Sequence, residues 1–324
     1  MRDESPGPVA AIDCGTNSTR LLVADGDGTV LERHMRITRL GEGVDATRTL
    51  SRDAVARTIA VLGEFRGLMD LHGVVRARLV ATSAARDATN AGEFLTAAQD
   101  VTGVRPEILS GREEGALSFA GATAHIGDVR VGPGPVLVVD IGGGSTELVV
   151  GEPPSGGPPE TDARTGDPAA VSAVSLDVGC VRVTERFLAG DPPGADELAE
   201  ARRTVEAQLS GARAELPPLA RGGLLIGLAG TVSTLAALDR RLTDYERSAV
   251  HHVVLGRPTV RDWLETLAGE DSGARLARPG MVAGRADVIV GGVLILDAVM
   301  DVFERDECLV SEDDILDGLA ASLL

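Results

Sequence analysis

Two segments of the chain repeat one order of residue types. Asp13-Cys-Gly-Thr-Asn-Ser-Thr-Arg-Leu lines up with Asp140-Ile-Gly-Gly-Gly-Ser-Thr-Glu-Leu, setting Asp on Asp, Gly15 on Gly142 and Ser18-Thr19 on Ser145-Thr146. A glycine loop between strands can turn several backbone N–H groups into one concavity that suits an anion. The Ser18 and Ser145 hydroxyls add donors, and Asp13 and Asp140 can hold a metal ion directly or through water. A single such loop also fits an ordinary hairpin whose glycines only permit positive φ. Two matching loops, each with Asp before and Ser-Thr after, favour the anion site. A third loop, Gly227-Leu-Ala-Gly-Thr231, follows a strand and opens a helix, the usual helix-start anion site. Taken alone it fits close packing equally well.

The elements that must position these loops read as alternating strands and helices, an α/β pattern. Val9–Asp13 and Arg20–Asp25 flank the first loop, with a third strand near Thr29–Met35. Ser51–His72 has helical apolar spacing, a Ser start and a stop at Gly73. Arg78–Thr82 reads as a strand, and Asn90–Thr102 and Gly111–Ala124 as helices. Val136–Asp140 and Glu147–Gly151 flank the second loop, followed by strands near Ser172–Asp177 and Leu224–Leu228 around a helix at roughly Asp196–Leu216. Helices are expected near Thr231–Arg241, Thr259–Ala268 and Ala286–Phe303, and a last one after Ser311, whose Ser-Glu-Asp-Asp start reads as a cap. Residues 1–8 read as a frayed end, Gly127–Pro135 as a linker and the Pro/Gly tract Glu152–Pro168 as a disordered surface insertion. The chain reads as two related domains, each opening with the same strand–loop–strand unit. The expected division is 1–126 and 127–310, with a C-terminal helix at about 311–324 that could pack back on the first domain.

Composition removes several chemistries. All 31 basic residues are Arg. That excludes the P-loop lysine, Schiff-base chemistry and the kinase strand lysine. A net charge of −18 repels nucleic acid over most of the surface, so no nucleic-acid partner is expected. An anionic substrate would need local donors and a cation. The apolar runs, such as Val136–Val139 and Val288–Leu296, fall short of the ~20 residues of a membrane span, and no signal peptide is visible. Cys14, Cys180 and Cys308 lie far apart with no CxxC pair, which fits a reduced cytoplasm. His34, His72, His125, His251 and His252 are scattered and read as surface or helix-end residues.

Five motifs occur in order: Ala11-Ile-Asp-Cys-Gly-Thr-Asn-Ser18; Ala81-Thr-Ser-Ala-Ala-Arg86 with Asn90; Ser110-Gly-Arg-Glu-Glu114; Asp140-Ile-Gly-Gly-Gly-Ser-Thr-Glu147; and Gly284-Arg-Ala-Asp287. In order and spacing the chain resembles the exopolyphosphatase/guanosine pentaphosphate phosphohydrolase family, over essentially its whole length and in a short two-domain form. The resemblance implies two RNase H-like domains of the actin-like ATPase superfamily with the active site in the cleft between them. It assigns Glu114 as the base that activates water and Arg86 as the contact to the cleaved phosphate. Asp140 and Glu147, with Asp13, would lie at a Mg²⁺ ion. Gly15, Asn17 and Ser18, and Gly142, Gly143, Gly144 and Ser145, would cradle successive phosphates, with Gly230 and Arg285 as further contacts. Phosphoanhydride hydrolysis needs a positioned water, a cation and in-line geometry, which these residue types supply. By residue type alone Glu114, with Glu113, would only complement the dipole of the helix they start; the resemblance favours Glu114 as the base, with Glu113 a rival one residue away.

The implied activity is release of orthophosphate from the end of polyphosphate, with the terminal phosphate of guanosine pentaphosphate as the alternative substrate. An actin-fold phosphotransferase and a non-hydrolysing nucleotide-dependent scaffold or sensor are readings from other classes. A homodimer is left open.

Overall fold

The computed structural model describes residues 7–124, 126, 134–153, 171–219 and 223–324. The expectations for 1–8, the 127–135 linker and the 152–168 tract fall almost wholly outside these residues, as does His125. Contacts divide the chain into two compact units, Met1–Gly121 with Ile315–Leu324, and Ala122–Asp314.

The first unit is built on a five-stranded sheet of β1 (Val9–Cys14), β2 (Ser18–Ala24), β3 (Val30–Ile37), β4 (Arg76–Ala81) and β5 (Pro106–Ile108), in the order β3-β2-β1-β4-β5. β1 to β3 run antiparallel, and β4 and β5 continue parallel to β1. β1 is buried along its whole length, which its run of apolar residues reflects. The Arg52–Leu71 helix starts where Ser51 accepts from the Ala54 N–H and stops before Gly73 at φ +63. It packs Leu62, Phe65 and Met69 on one face of the sheet with Ile12, Leu21 and Leu79. The Ile315–Ala321 helix covers the other face with Leu316 and Leu319 against Val9, Ala11 and Leu22. Burying each such leucine contributes about 1.5–3 kcal/mol.

The second unit repeats the plan. β6 (Val136–Ile141), β7 (Thr146–Gly151), β8 (Ser172–Leu176), β9 (Leu225–Leu228), β10 (Val254–Gly256) and β11 (Glu307–Val310) lie in the order β10-β11-β9-β6-β7-β8. β6, β7 and β8 match β1, β2 and β3, while β9 and β11 run parallel to β6 as β4 and β5 do to β1. The extra strand β10 closes the far edge antiparallel to β11. The Ile289–Val302 helix is buried around almost its whole circumference, so its sequence is apolar on every side. Its one buried charge, Asp297, is held by Arg202 and Arg261. Gly291 and Gly292 let it close on Thr184 and Thr231, which sets the Cys180–Phe187 and Ala229–Asp239 helices against it.

Three expected helices are present with starts shifted by a few residues. The last helix begins at Ile315, since Ser311 Oγ bonds the N–H and carbonyl of Asp313 in a tight turn and β11 runs up to it. The helix expected from Ala286 begins at Ile289. The helix expected from Thr231 begins at Ala229, which is held at φ +65.

Candidate active site

In the first unit, the loop between β1 and β2 closes with the Gly15 N–H donating to the Ser18 carbonyl at 3.0 Å. Segment 38–41 grips it from behind. The N–H groups of Thr38 and Arg39 donate to the Asn17 carbonyl, and that of Gly41 to the Thr16 carbonyl. Thr16 Oγ1 and Ser83 Oγ share a buried 2.8 Å hydrogen bond. Asp13 and Arg20 are register partners, and Arg20 donates to Asp13 Oδ2 through Nε at 3.1 Å and Nη2 at 2.7 Å. Arg20 went unassigned in the sequence, although it is the residue aligned with Glu147.

Glu114 and Arg86 lie far apart in sequence and meet in this unit. Arg86, on the short Ser83–Asp87 helix, donates through Nη1 to the Leu109 carbonyl at 2.9 Å and to Glu114 Oε2 at 3.3 Å. Glu114 is buried on the first turn of the Gly111–Ala124 helix. Its neighbour differs. Glu113 is exposed and accepts from Ser110 N–H at 2.8 Å and Ser110 Oγ at 2.7 Å, while its own N–H donates back to Ser110 Oγ at 3.3 Å. This is a capping box, and the Ser110 hydrogen bonds hold the Glu113 carboxyl below the usual range. Glu113 caps the helix, and Glu114 is the carboxylate beside the arginine.

The second unit closes its loop alike, with the Gly142 N–H donating to the Ser145 carbonyl at 3.0 Å. The Cys180–Phe187 helix grips this loop with its first N–H groups. Cys180 donates to the Gly142 carbonyl, and Val181 and Arg182 to that of Gly143. Arg182, itself buried, adds a side-chain bond from Nε to the Gly144 carbonyl at 2.7 Å. Gly179 sits so close to Gly143 that a Cβ there would collide with that residue's backbone. With the carbonyls held behind, the loop N–H groups of Gly143 and Gly144 donate to no partner among the described residues. Such N–H groups are the donors an anion nest would need.

Asp140 and Glu147 are register partners, so their side chains share one face, and both are buried. Ser175 Oγ donates to Glu147 Oε1 at 2.8 Å. Two carboxylates across a strand pair repel each other. Hard oxygen donors of this kind suit Mg²⁺, which retains waters and phosphate ligands and needs only one or two carboxylates. No group of three or more potential metal ligands is assembled among the described residues.

The third loop pairs two further candidates. Gly230 lies under the Arg285 guanidinium, where a Cβ would overlap it, and Arg285 Nη1 donates to Thr234 Oγ1 at 3.1 Å. Gly230 therefore seats Arg285. The cysteines are buried free thiols. Burial pushes Cys180 up to about 11 and Cys308 to about 12, and raises Cys14 as well, so none is poised as a nucleophile. No helix among the described residues is long and apolar enough to cross a membrane.

Comparison with known proteins agrees with this architecture. The family model of the Ppx/GppA phosphatase family matches residues 22–324. Exopolyphosphatase 2 of Mycobacterium tuberculosis H37Rv is 42% identical, over 97% of this chain and 98% of that protein. A guanosine-5'-triphosphate,3'-diphosphate pyrophosphatase of Vibrio vulnificus is 30% identical over 97% of this chain and 59% of its own length. Among solved structures, the Aquifex aeolicus member of the family superposes with a TM-score of 0.77 at 32% identity, covering 98% of this chain and 97% of that one. The doubled sheet order, the paired glycine loops and these likenesses agree: the chain belongs to the Ppx/GppA phosphatase family.

Proposed function

We propose that this protein is a Mg²⁺-dependent exopolyphosphatase that releases orthophosphate from the end of inorganic polyphosphate. The carrying observation is the Glu114–Arg86 pair, with Glu113 occupied in a cap. Glu114 accepts a proton from water, and the hydroxyl oxygen bonds to the terminal phosphorus. The bond from that phosphorus to its bridging oxygen breaks in line, and the electron pair stays with the shortened chain. Arg86 offers fixed N–H donors to the transferring group, already oriented by the Leu109 carbonyl. The N–H groups of the Gly142–Ser145 loop and the Arg285 guanidinium hold neighbouring phosphates. Asp140 and Glu147 would hold the Mg²⁺ ion, which when bound offsets the charge that develops on phosphate oxygens. Asp13 is a weaker candidate for that ion, since Arg20 already engages its Oδ2.

The name of the 42% identical relative, which this chain matches end to end, favours polyphosphate. Guanosine pentaphosphate is the second reading, favoured by the Vibrio vulnificus relative. Phosphate-release kinetics with Mg²⁺ on tripolyphosphate, long polyphosphate and guanosine pentaphosphate test the choice. The expected order of kcat/KM places tripolyphosphate above the nucleotide, and the reverse order overturns the reading. A chain of net charge −18 repels a long polyanion beyond its local donors, screened over ~8–10 Å. Long chains should therefore shorten distributively, with intermediates visible on a gel.

A further inference from the structure

The two phosphate loops are held by the same device. In each unit the segment after the third strand donates backbone N–H groups to the loop carbonyls: 38–41 to Thr16 and Asn17, and 180–182 to Gly142 and Gly143. The loops differ in what they need. The first has one glycine and a buried Thr16–Ser83 hydrogen bond, whereas the second has three consecutive glycines and no side chain to tether before Ser145. Glycine retains the most backbone freedom, so a three-glycine loop is the costliest to hold in one shape. The second unit meets this with one added side chain, Arg182, whose Nε bonds the Gly144 carbonyl at 2.7 Å from a buried position.

We infer that Arg182 is a positioning residue for phosphate binding, fixing the Gly142–Ser145 loop so that its N–H groups stay aimed at substrate. It acts through the loop backbone. A buried guanidinium is retained only where it is bonded, and a carbonyl pinned from behind fixes the orientation of the peptide whose N–H faces forward. The inference rests on the polyphosphatase reading above.

The test compares wild type, Arg182→Gln and Arg182→Lys. Three quantities are measured: tripolyphosphate turnover, calorimetric affinity for non-hydrolysable imidotriphosphate, and deuterium exchange of the 142–145 amides. Loss of alignment at a reacting group costs up to about 100-fold. Arg182→Gln should lower kcat by about 10- to 100-fold, weaken imidotriphosphate binding and speed exchange in this loop but not at 15–18. Arg182→Lys should recover part of each loss. A folded Arg182→Gln with wild-type kcat, affinity and loop exchange overturns the inference. If Arg182→Gln does not fold, wild-type values for Arg182→Lys in all three measurements overturn it. If wild type neither hydrolyses nor binds phosphoanhydrides, the functional reading fails, and unchanged loop exchange in the variants would then overturn the clamp separately.

Discussion

Across the first glycine-loop hairpin Asp13 faces Arg20, and across the second Asp140 faces Glu147. The loops close with the same 3.0 Å hydrogen bond, and each is gripped by the segment after its third strand. At this cross-strand position the copies diverge in charge. Arg20 gives the first hairpin a cation of its own, at 2.7 Å from the carboxylate. The second sets two carboxylates across the same position, hard oxygen donors of the kind that suits Mg²⁺. The first unit also carries the Glu114–Arg86 pair. On the proposed reading the duplicated scaffold divides its labour: the water-activating carboxylate belongs to one copy and the carboxylate pair suited to Mg²⁺ to the other.

The largest effect should come from the first unit's carboxylate. Glu114→Gln is expected to reduce phosphate release by about 10²–10⁴-fold, the usual worth of a general base. Glu113→Gln should leave turnover near normal. The opposite pattern in steady-state assays would move the base by one residue.

Removing the first hairpin's cation tests its structural half. Arg20→Gln leaves the buried Asp13 carboxylate without its ion pair and should cost about 1–3 kcal/mol in urea unfolding. An unchanged midpoint would show that the pair does not hold this hairpin.

Gly230→Ala probes the second unit's arginine. The added Cβ meets the far end of a flexible side chain, so the fold should survive while the Arg285 guanidinium shifts. A weakened charged hydrogen bond corresponds to a rise of about 10-fold in KM. Wild-type KM in this variant would remove Arg285 from phosphate binding.

The smallest effect concerns the cap. The folded-state pKa of Glu113 is lowered by Ser110, so its stabilisation is present above the ordinary glutamate pKa of about 4.3 and fades as pH falls through the folded value. Glu113→Gln should cost about 0.5–1 kcal/mol at pH 7, discounted for exposure, and the gap should narrow toward pH 3. A gap that widens in acid would contradict the capping assignment.

Much of this was legible in the sequence for a physical reason. Apolar runs bounded by glycine mark β1, β2, β6 and β7, and the Gly111–Ala124 helix was read to its last residue. The short strands β5, β10 and β11 are not, because three or four residues carry little periodicity and are fixed by distant partners, and the eight-residue Cys180–Phe187 helix is also missed. Ser110 and Glu113 have the spacing of a capping box, a signal that could have separated Glu113 from Glu114. Arg20 stood in plain view at the one charged position where the aligned copies reverse sign. Arg182 had no such signal. Its partner Gly144 lies 38 residues away, and only the folded chain brings them together.

The central claim, that Asp140 and Glu147 hold the cation, is tested most directly with the isosteric Glu147→Gln. Thermal unfolding is recorded in EDTA and across a Mg²⁺ titration, beside tripolyphosphate hydrolysis. Ligand that binds only the folded state raises its stability by mass action. Wild type should gain Tm with Mg²⁺ and lose turnover in EDTA. Glu147→Gln should gain little from Mg²⁺ and hydrolyse poorly at every concentration. A Glu147→Gln protein with the wild-type Mg²⁺ gain and wild-type turnover would contradict the account.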